Sequence, residues 1–207
     1  RMKSFISEDN IEQAICNRLS QPEYGWKRIE CSPELEDQDE VASTGRANPS
    51  ECILPEVFLS ALRRLNPQID DEILKNILQD FRKDYSGTDM VDTNYKFYNQ
   101  IRNGIKVKTR NQHREDFDIV KLIDFDHPER NEFHCVNQMW IKGHFRYRRP
   151  DVLLFVNGLP VVFIELKNST VKIEESYNKN LVSYRKDIPN IFAMNQICVL
   201  SNGLQTK

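Results

Sequence analysis

The sequence predicts an α/β protein: a central mixed β-sheet flanked by helices, with an added helical segment before the sheet. Three observations predict it. Amphipathic helical stripes occupy the first part of the chain. From about residue 117 the apolar pattern becomes β. A helix and a last strand then follow, and that order requires strands of both directions.

Residues 7–20 read as a helix, with Ser7 as N-cap, Glu8 and Asp9 in the first turn, and an apolar stripe of Ile11, Ala14, Ile15 and Leu19. Pro22 and Gly25 end it. Residues 31–50 are acidic and polar and read as an exposed loop. A second helix spans 54–65, with Pro55 in its first turn and Asn66-Pro67 as its stop. A third spans 70–83, with Ile73, Leu74, Ile77, Leu78 and Phe81 facing inward. Candidate strands are 119–124, 134–141, 151–156 and 160–166. A helix at about 172–186 follows, then a strand at 196–200.

Hydrophobic residues make up 39% and charged residues 29% of the 207 residues, as in a soluble domain with a real core. No apolar run approaches the roughly 18 residues of a membrane helix. No signal peptide opens the chain, so a cytoplasmic protein is expected, with no membrane partner. The five cysteines lack C-x-x-C spacing and read as free thiols. The four histidines lack zinc-ligand spacing. No G-x-x-x-x-G-K-[ST] loop is present, which excludes a nucleotide-hydrolysing motor from these residues.

The net charge of −2 does not suggest a nucleic-acid binder, but the charge is segregated. Residues 30–40 carry six acids and no base. Residues 142–149 carry Lys142, His144, Arg146, Arg148 and Arg149 and no acid. Lys142, His144, Arg146 and Arg148 alternate, so an extended segment would present them as one row. Such a row can hold a DNA backbone without reading bases, or it can be a solvated edge strand. Phe145 and Tyr147, interleaved with it, read as core.

The chemistry concentrates in residues 150–168. Two apolar strands joined at Asn157-Gly158 are interrupted by Asp151, Glu165 and Lys167. A buried charge needs a partner or a task. Glu165 and Lys167 share a strand face, about 7 Å apart along it. A plain two-residue turn pairs Asp151 with Ile164 and sends Asp151 to the face opposite Glu165. Convergence of the two carboxylates therefore demands an odd loop or a bulge. Given that, Asp151, Glu165 and the Leu166 carbonyl would suit Mg²⁺, with Mn²⁺ as substitute. Lys167 would orient the attacking water or lower its pKa. The competing reading is that E-x-K at a strand end merely reaches solvent.

Pro150-Asp151, followed by Glu165-Leu166-Lys167 on the next strand, resembles the PD-(D/E)xK nuclease superfamily. The wider string over 122–168 resembles the amino-terminal domain of type I restriction R subunits. So do LPEVFLSALRRLNP at 54–67 and NYKFYNQIRNGIKV at 94–107. The resemblance covers essentially the whole chain.

It implies a restriction-endonuclease-like core and a single nuclease domain over 1–207. Residues 1–115 would be its helical amino-terminal part and 116–207 the PD-(D/E)xK core. Asp151 and Glu165 match the metal-binding acids and Lys167 the catalytic lysine. The family's Q-x-x-x-Y element falls on Asn180 and Tyr184, with asparagine in place of glutamine. Its first-helix glutamate is best matched by Glu12, then Glu8, although both also read as solvated first-turn acids. The resemblance also implies a downstream helicase motor that uses ATP, and methyltransferase and specificity subunits as partners. The chain stops just after a strand, as a piece of a longer protein would. The expected activity is Mg²⁺-dependent endonucleolytic cleavage of double-stranded DNA. The alternatives are an inactive nuclease-fold scaffold and a stand-alone repair or transposon nuclease.

Overall fold

A computed structural model describes residues 6–31, 43–111 and 114–207. Five strands form a mixed sheet: β1 (Lys27–Glu30), β4 (Phe133–Asn137), β7 (Val152–Val156), β8 (Leu159–Leu166) and β9 (Ile197–Ser201), in that spatial order. β1 runs parallel to β4 and β8 parallel to β9, while β4–β7 and β7–β8 are antiparallel. Side chains alternate along β7 and β8, so both faces carry apolar residues and both are covered.

One face packs on α1 (Glu8–Leu19) through Ile11, Cys16, Cys135, Val152, Leu154, Ile164 and Leu166. Ser7 caps α1 by accepting from the Asn10 N–H, as expected from the sequence. The other face packs on α2 (Pro55–Leu65), α3 (Asp71–Phe81), α4 (Met90–Asn103) and a carboxy-terminal helical region. Leu153, Phe155 and Phe163 point into that larger core.

The β7–β8 turn is the two-residue type the sequence predicts. Asn157 (φ 51°) and Gly158 (φ 82°) are both left-handed. The buried Asn157 amide donates to the Leu122 carbonyl and accepts from the Glu132 N–H. Gly158 lies against α2, where a Cβ would stand 2.6 Å from the Leu54 oxygen and 2.7 Å from the Phe58 nitrogen. The turn pairs Val156 with Leu159 and Phe155 with Pro160, and then the register shifts so that Leu154 pairs with Val162. Val161 is the extra residue of a β-bulge. Pro160 has no N–H for the ladder, and a bulge beside it is where a strand tolerates proline. The Val161 carbonyl is taken by the Gln196 N–H at 2.8 Å.

Several elements depart from the sequence reading. The strand expected at 119–124 is instead β3 (Arg114–Val120), paired with β2 (Ile105–Asn111) in a hairpin outside the main sheet. The strand expected at 134–141 stops at Asn137 because Gln138 turns left-handed (φ 60°). β1 lies within the part read as helical. It is a four-residue edge strand, too short to show a period. The helix expected at 172–186 is α5 (Ile173–Glu175), a π-helical turn (Ser176–Leu181) and α6 (Val182–Asp187), followed by α7 (Pro189–Met194). Of the loop read over 31–50, residues 32–42 lie outside the described residues. Its later part is not simply exposed: Arg46 is buried and donates to the Trp140 carbonyl at 2.9 Å. No helix among the described residues is long and apolar enough to cross a membrane.

Candidate active site

The bulge at Val161 decides where the charges meet. Val152 pairs with Ile164, and continuing that register by one residue sets Asp151 beside Glu165. Both then share the face of Leu153 and Phe163. The odd-residue condition is met by a bulge rather than by the loop.

Asp151 is anchored by the protein backbone. Its Oδ2 accepts from the Leu166 N–H at 2.6 Å, and its carbonyl accepts from the Gln138 N–H at 3.0 Å. Burial pushes its carboxyl up to about 7, with the Glu165 charge as the next cause. The Leu166 N–H and the Lys167 ammonium pull the other way. Glu165 is 2% exposed. Its Oε1 accepts from Lys167 Nζ and from Asn180 Nδ2, each at 2.8 Å. Its Oε2 is buried without a hydrogen-bond partner.

Lys167 Nζ also donates to the Leu166 carbonyl at 2.8 Å and lies 3.9 Å from Glu8 Oε2. Burial disfavours the ammonium. The Glu165 charge and hydrogen bond, then Glu8 and Asp151, outweigh it, so the lysine is held charged above its usual range. The Lys167 N–H is tied to the Ser201 carbonyl of β9 at 2.8 Å, which fixes the end of β8.

The accessory residues resolve one by one. Asn180 sits on the π-helical turn, a rare element that recurs at functional sites, and reaches Glu165 directly. Tyr184 packs edge-on against Phe163, and its hydroxyl is 3.3 Å from the Arg149 carbonyl. Burial, then the charges of Glu165 and Asp151, raise its pKa. Glu12 is not a solvated first-turn acid, because packing of α1 on the sheet buries it to 5% exposure. Its two oxygens accept from Asn137 Nδ2 (2.8 Å) and Gln138 Nε2. Glu8 accepts from the Asn168 N–H at 3.2 Å. Gln138 and Asn137 were not singled out in the sequence, where an Asn-Gln pair at a strand end carries no recognisable spacing.

The basic strip does not form one row. The chain folds back at Gly143 into a short hairpin, β5 (Ile141–Lys142) with β6 (Tyr147–Arg148), closed by the Gly143 N–H to the Arg146 carbonyl. Alternation across a turn no longer keeps side chains on one side. Arg148 pairs with Asp187 through Nε at 2.7 Å, and His144 lies 3.3 Å from Asp84. Lys142 stands over the Tyr147 ring and Arg149 over the Trp140 ring. Arg146 is exposed. Phe145 is not core: it is 98% exposed at the hairpin tip, and Tyr147 is 37% exposed.

A mixed sheet that ends in two facing carboxylates and a lysine is the signature of an α/β domain built around a charged site at its strand ends. The chain belongs to the family "Type I restriction enzyme R protein N terminus", whose model matches residues 5–207. It is 30% identical over 204 residues to the type I restriction enzyme HindI endonuclease subunit of Haemophilus influenzae. That match covers 97% of this chain and 19% of the relative. A Methanocaldococcus jannaschii protein named as a type I restriction enzyme endonuclease subunit, MjaIXP, is 30% identical over 212 residues, covering 98% and 19%. The SsaAORF53P endonuclease subunit of Staphylococcus saprophyticus is 31% identical over 88 residues, covering 42% and 9%. The chain thus spans about a fifth of the length of the two relatives it matches end to end.

Proposed function

We propose that residues 1–207 form the nuclease domain of a type I restriction R subunit, with a restriction-endonuclease-like core, and that it cleaves double-stranded DNA by Mg²⁺-dependent phosphodiester hydrolysis. The observation that carries this reading is the pairing of buried Glu165 with half-buried Asp151, with Lys167 beside them. Glu165 Oε2 has no hydrogen-bond partner, and burial together with the neighbouring Glu165 charge disfavours ionised Asp151. A small hard dication would answer both needs, since carboxylate oxygens are its preferred ligands. Among the described residues no group of three or more His, Cys, Asp or Glu side chains is placed to hold a metal ion. The donor set is therefore two carboxylates plus the Leu166 carbonyl, with water for the rest, which is how Mg²⁺ is commonly held.

The metal, when bound, would supply Lewis-acid stabilisation of the charge that develops on the phosphodiester. Asp151, fixed by the Leu166 N–H, and Glu165, fixed by Asn180, hold their oxygens in place before any ligand arrives. In the metal-free site, against the cost of burial, the Glu165 charge holds Lys167 as an ammonium above its usual range, which suits a hydrogen-bond donor that orients water or phosphate. Asn180 takes the place of the longer glutamine and spends its amide on Glu165. Tyr184 backs the π-helical turn against the core.

Lys142 and Arg146, both exposed, are the cations we assign first to the DNA backbone, while Arg149 is engaged over the Trp140 ring. His144 and Arg148 would first have to leave Asp84 and Asp187. Sequence specificity, methylation and ATP-driven translocation belong in this reading to the specificity subunit, the methyltransferase subunit and a motor region beyond residue 207. The test is cleavage of circular DNA by the assembled full-length enzyme carrying Glu165→Ala. We expect ATP hydrolysis without cutting. Cutting at the parental rate would end the nuclease reading.

A further inference from the structure

We infer that Gln138 is a positioning residue for the acid pair, acting through an amide bridge from Glu12 to Asp151. The inference rests on the nuclease reading above and adds a residue that lies outside the acid–lysine set.

Gln138 ends β4 in the left-handed region (φ 60°). An L side chain adopts that conformation at a cost of roughly 1–2 kcal/mol, so something must hold it. Its own N–H does so in part, by donating to the Asp151 carbonyl at 3.0 Å. The larger consequence is for side-chain direction. Consecutive residues of a strand leave on opposite faces. The left-handed step breaks that rule and brings the amides of Asn137 and Gln138 to one carboxylate. Asn137 Nδ2 takes Glu12 Oε1, and Gln138 Nε2 takes Glu12 Oε2.

The same Nε2 lies 3.4 Å from Asp151 Oδ1, the oxygen that the Leu166 N–H leaves open. One NH₂ group has two hydrogens to offer, and here each has a carboxylate in front of it. Gln138 therefore holds the second oxygen of the Asp151 carboxylate, beside the shorter Leu166 N–H bond on the first, and sets its distance from the Glu12 charge. Its partners on both sides are acids, so the neutral amide also stands between two negative groups. Residues that orient metal-binding side chains in this way typically change metal affinity or activity by ~10–100-fold when replaced.

The test compares Gln138→Gly with the parent in the full-length R subunit. Glycine takes the left-handed backbone without strain, so the N–H to Asp151 stays and only the amide is lost. Mn²⁺ binding without nucleotide is followed by electron paramagnetic resonance, and the component absent in Glu165→Ala is taken as the site. We expect Gln138→Gly to weaken that component by about tenfold or more. Cleavage by the assembled enzyme should be restored at raised Mg²⁺, with KM for DNA unchanged. Gln138→Met, of the same length and without a donor, serves if the glycine variant does not fold, and the same weakening is expected. Parental Mn²⁺ affinity in the folded variant, with Glu165→Ala still defective, overturns the role of Gln138. If Glu165→Ala itself keeps both the Mn²⁺ component and cleavage, the nuclease reading falls and the inference falls with it.

Discussion

Replacing Asp151 by asparagine should raise the stability of the metal-free chain at pH 8 and lower it by about 1–2 kcal/mol at pH 4. Burial and the neighbouring Glu165 charge push the Asp151 carboxyl up to about 7. In the unfolded chain it titrates near ~3.9. Below about pH 4 both states carry the proton, and ionisation does not distinguish them. Between about pH 4 and 7 the unfolded chain releases the proton while the folded chain retains it, so stability falls. Above about 7 the folded state is ionised as well and bears the full penalty, about three units at ~1.36 kcal/mol each, or about 4 kcal/mol. Asparagine removes that penalty, and its Oδ1 still accepts the Leu166 N–H. Its NH₂ now meets the Gln138 amide donor-to-donor, which returns about 1–2 kcal/mol of the gain. A net of roughly 2–3 kcal/mol corresponds to about 5–10 °C in Tm for a chain of this length. Thermal unfolding followed by circular dichroism in EDTA, from pH 4 to pH 9, measures it. An Asp151→Asn variant that melts at or below the parent at pH 8 would refute the electrostatic account. So would a gap that fails to narrow toward pH 4.

Mn²⁺ should stabilise the parent chain by about 2.7 kcal/mol at a hundredfold excess over Kd and leave the melting of Asp151→Asn unmoved; an equal shift in both would place the ion elsewhere. Lys167→Ala should slow cleavage by the assembled enzyme on the order of 100-fold or more while its thermal melt stays within a few degrees of the parent, and retained cutting would remove the lysine from the chemistry. Gly158→Ala should cost on the order of 2 kcal/mol or more, because the added Cβ meets backbone of α2 at 2.6–2.7 Å and the φ is +82°; an unchanged Tm would show that the turn is not held there. Asn180→Ala should weaken Mn²⁺ binding by about tenfold, since it frees Glu165 Oε1 from one of its two donors; parental affinity would make the contact incidental.

Much of this site is written in local sequence signals. The apolar runs at 152–156 and 159–166 show both strands, and Asn157-Gly158 shows their turn type. Pro160 marks where the ladder breaks. What periodicity cannot show is a change of direction that leaves the pattern intact. Lys142 to Arg148 alternate whether the chain runs straight or folds back at Gly143, so the strip reads the same in either case. Gln138 is harder still, because its left-handed φ follows from tertiary contacts with Asp151 and Glu12 and from no residue preference. Glu12 reads as a solvated acid because a charged residue near the start of an amphipathic helix is all the sequence displays. Its burial depends on where α1 lands on the sheet. β1 has only four residues and owes its place to pairing with β4.

Two breaks in strand parity then explain why charge accumulates at this end of an apolar sheet. Without the bulge at Val161, the Asn157-Gly158 turn would pair Leu154 with Val161 and Asp151 with Ile164. Phe163 and Glu165 would rotate toward α1, and Ile164 and Leu166 toward the larger core. Apolar residues occupy both faces, so the hydrophobic cost of that exchange is modest. The electrostatic cost is not: Glu165 would lie under α1 without Asn180, and Asp151 would face the other way without the Leu166 N–H. The register is thus set by what the buried carboxylates can bond to as much as by apolar burial. The left-handed step at Gln138 works in the same sense on the neighbouring strand, turning two consecutive amides onto one acid. Both devices cost local regularity in the sheet, and both place hydrogen-bond donors against carboxylates that a regular sheet would leave apart.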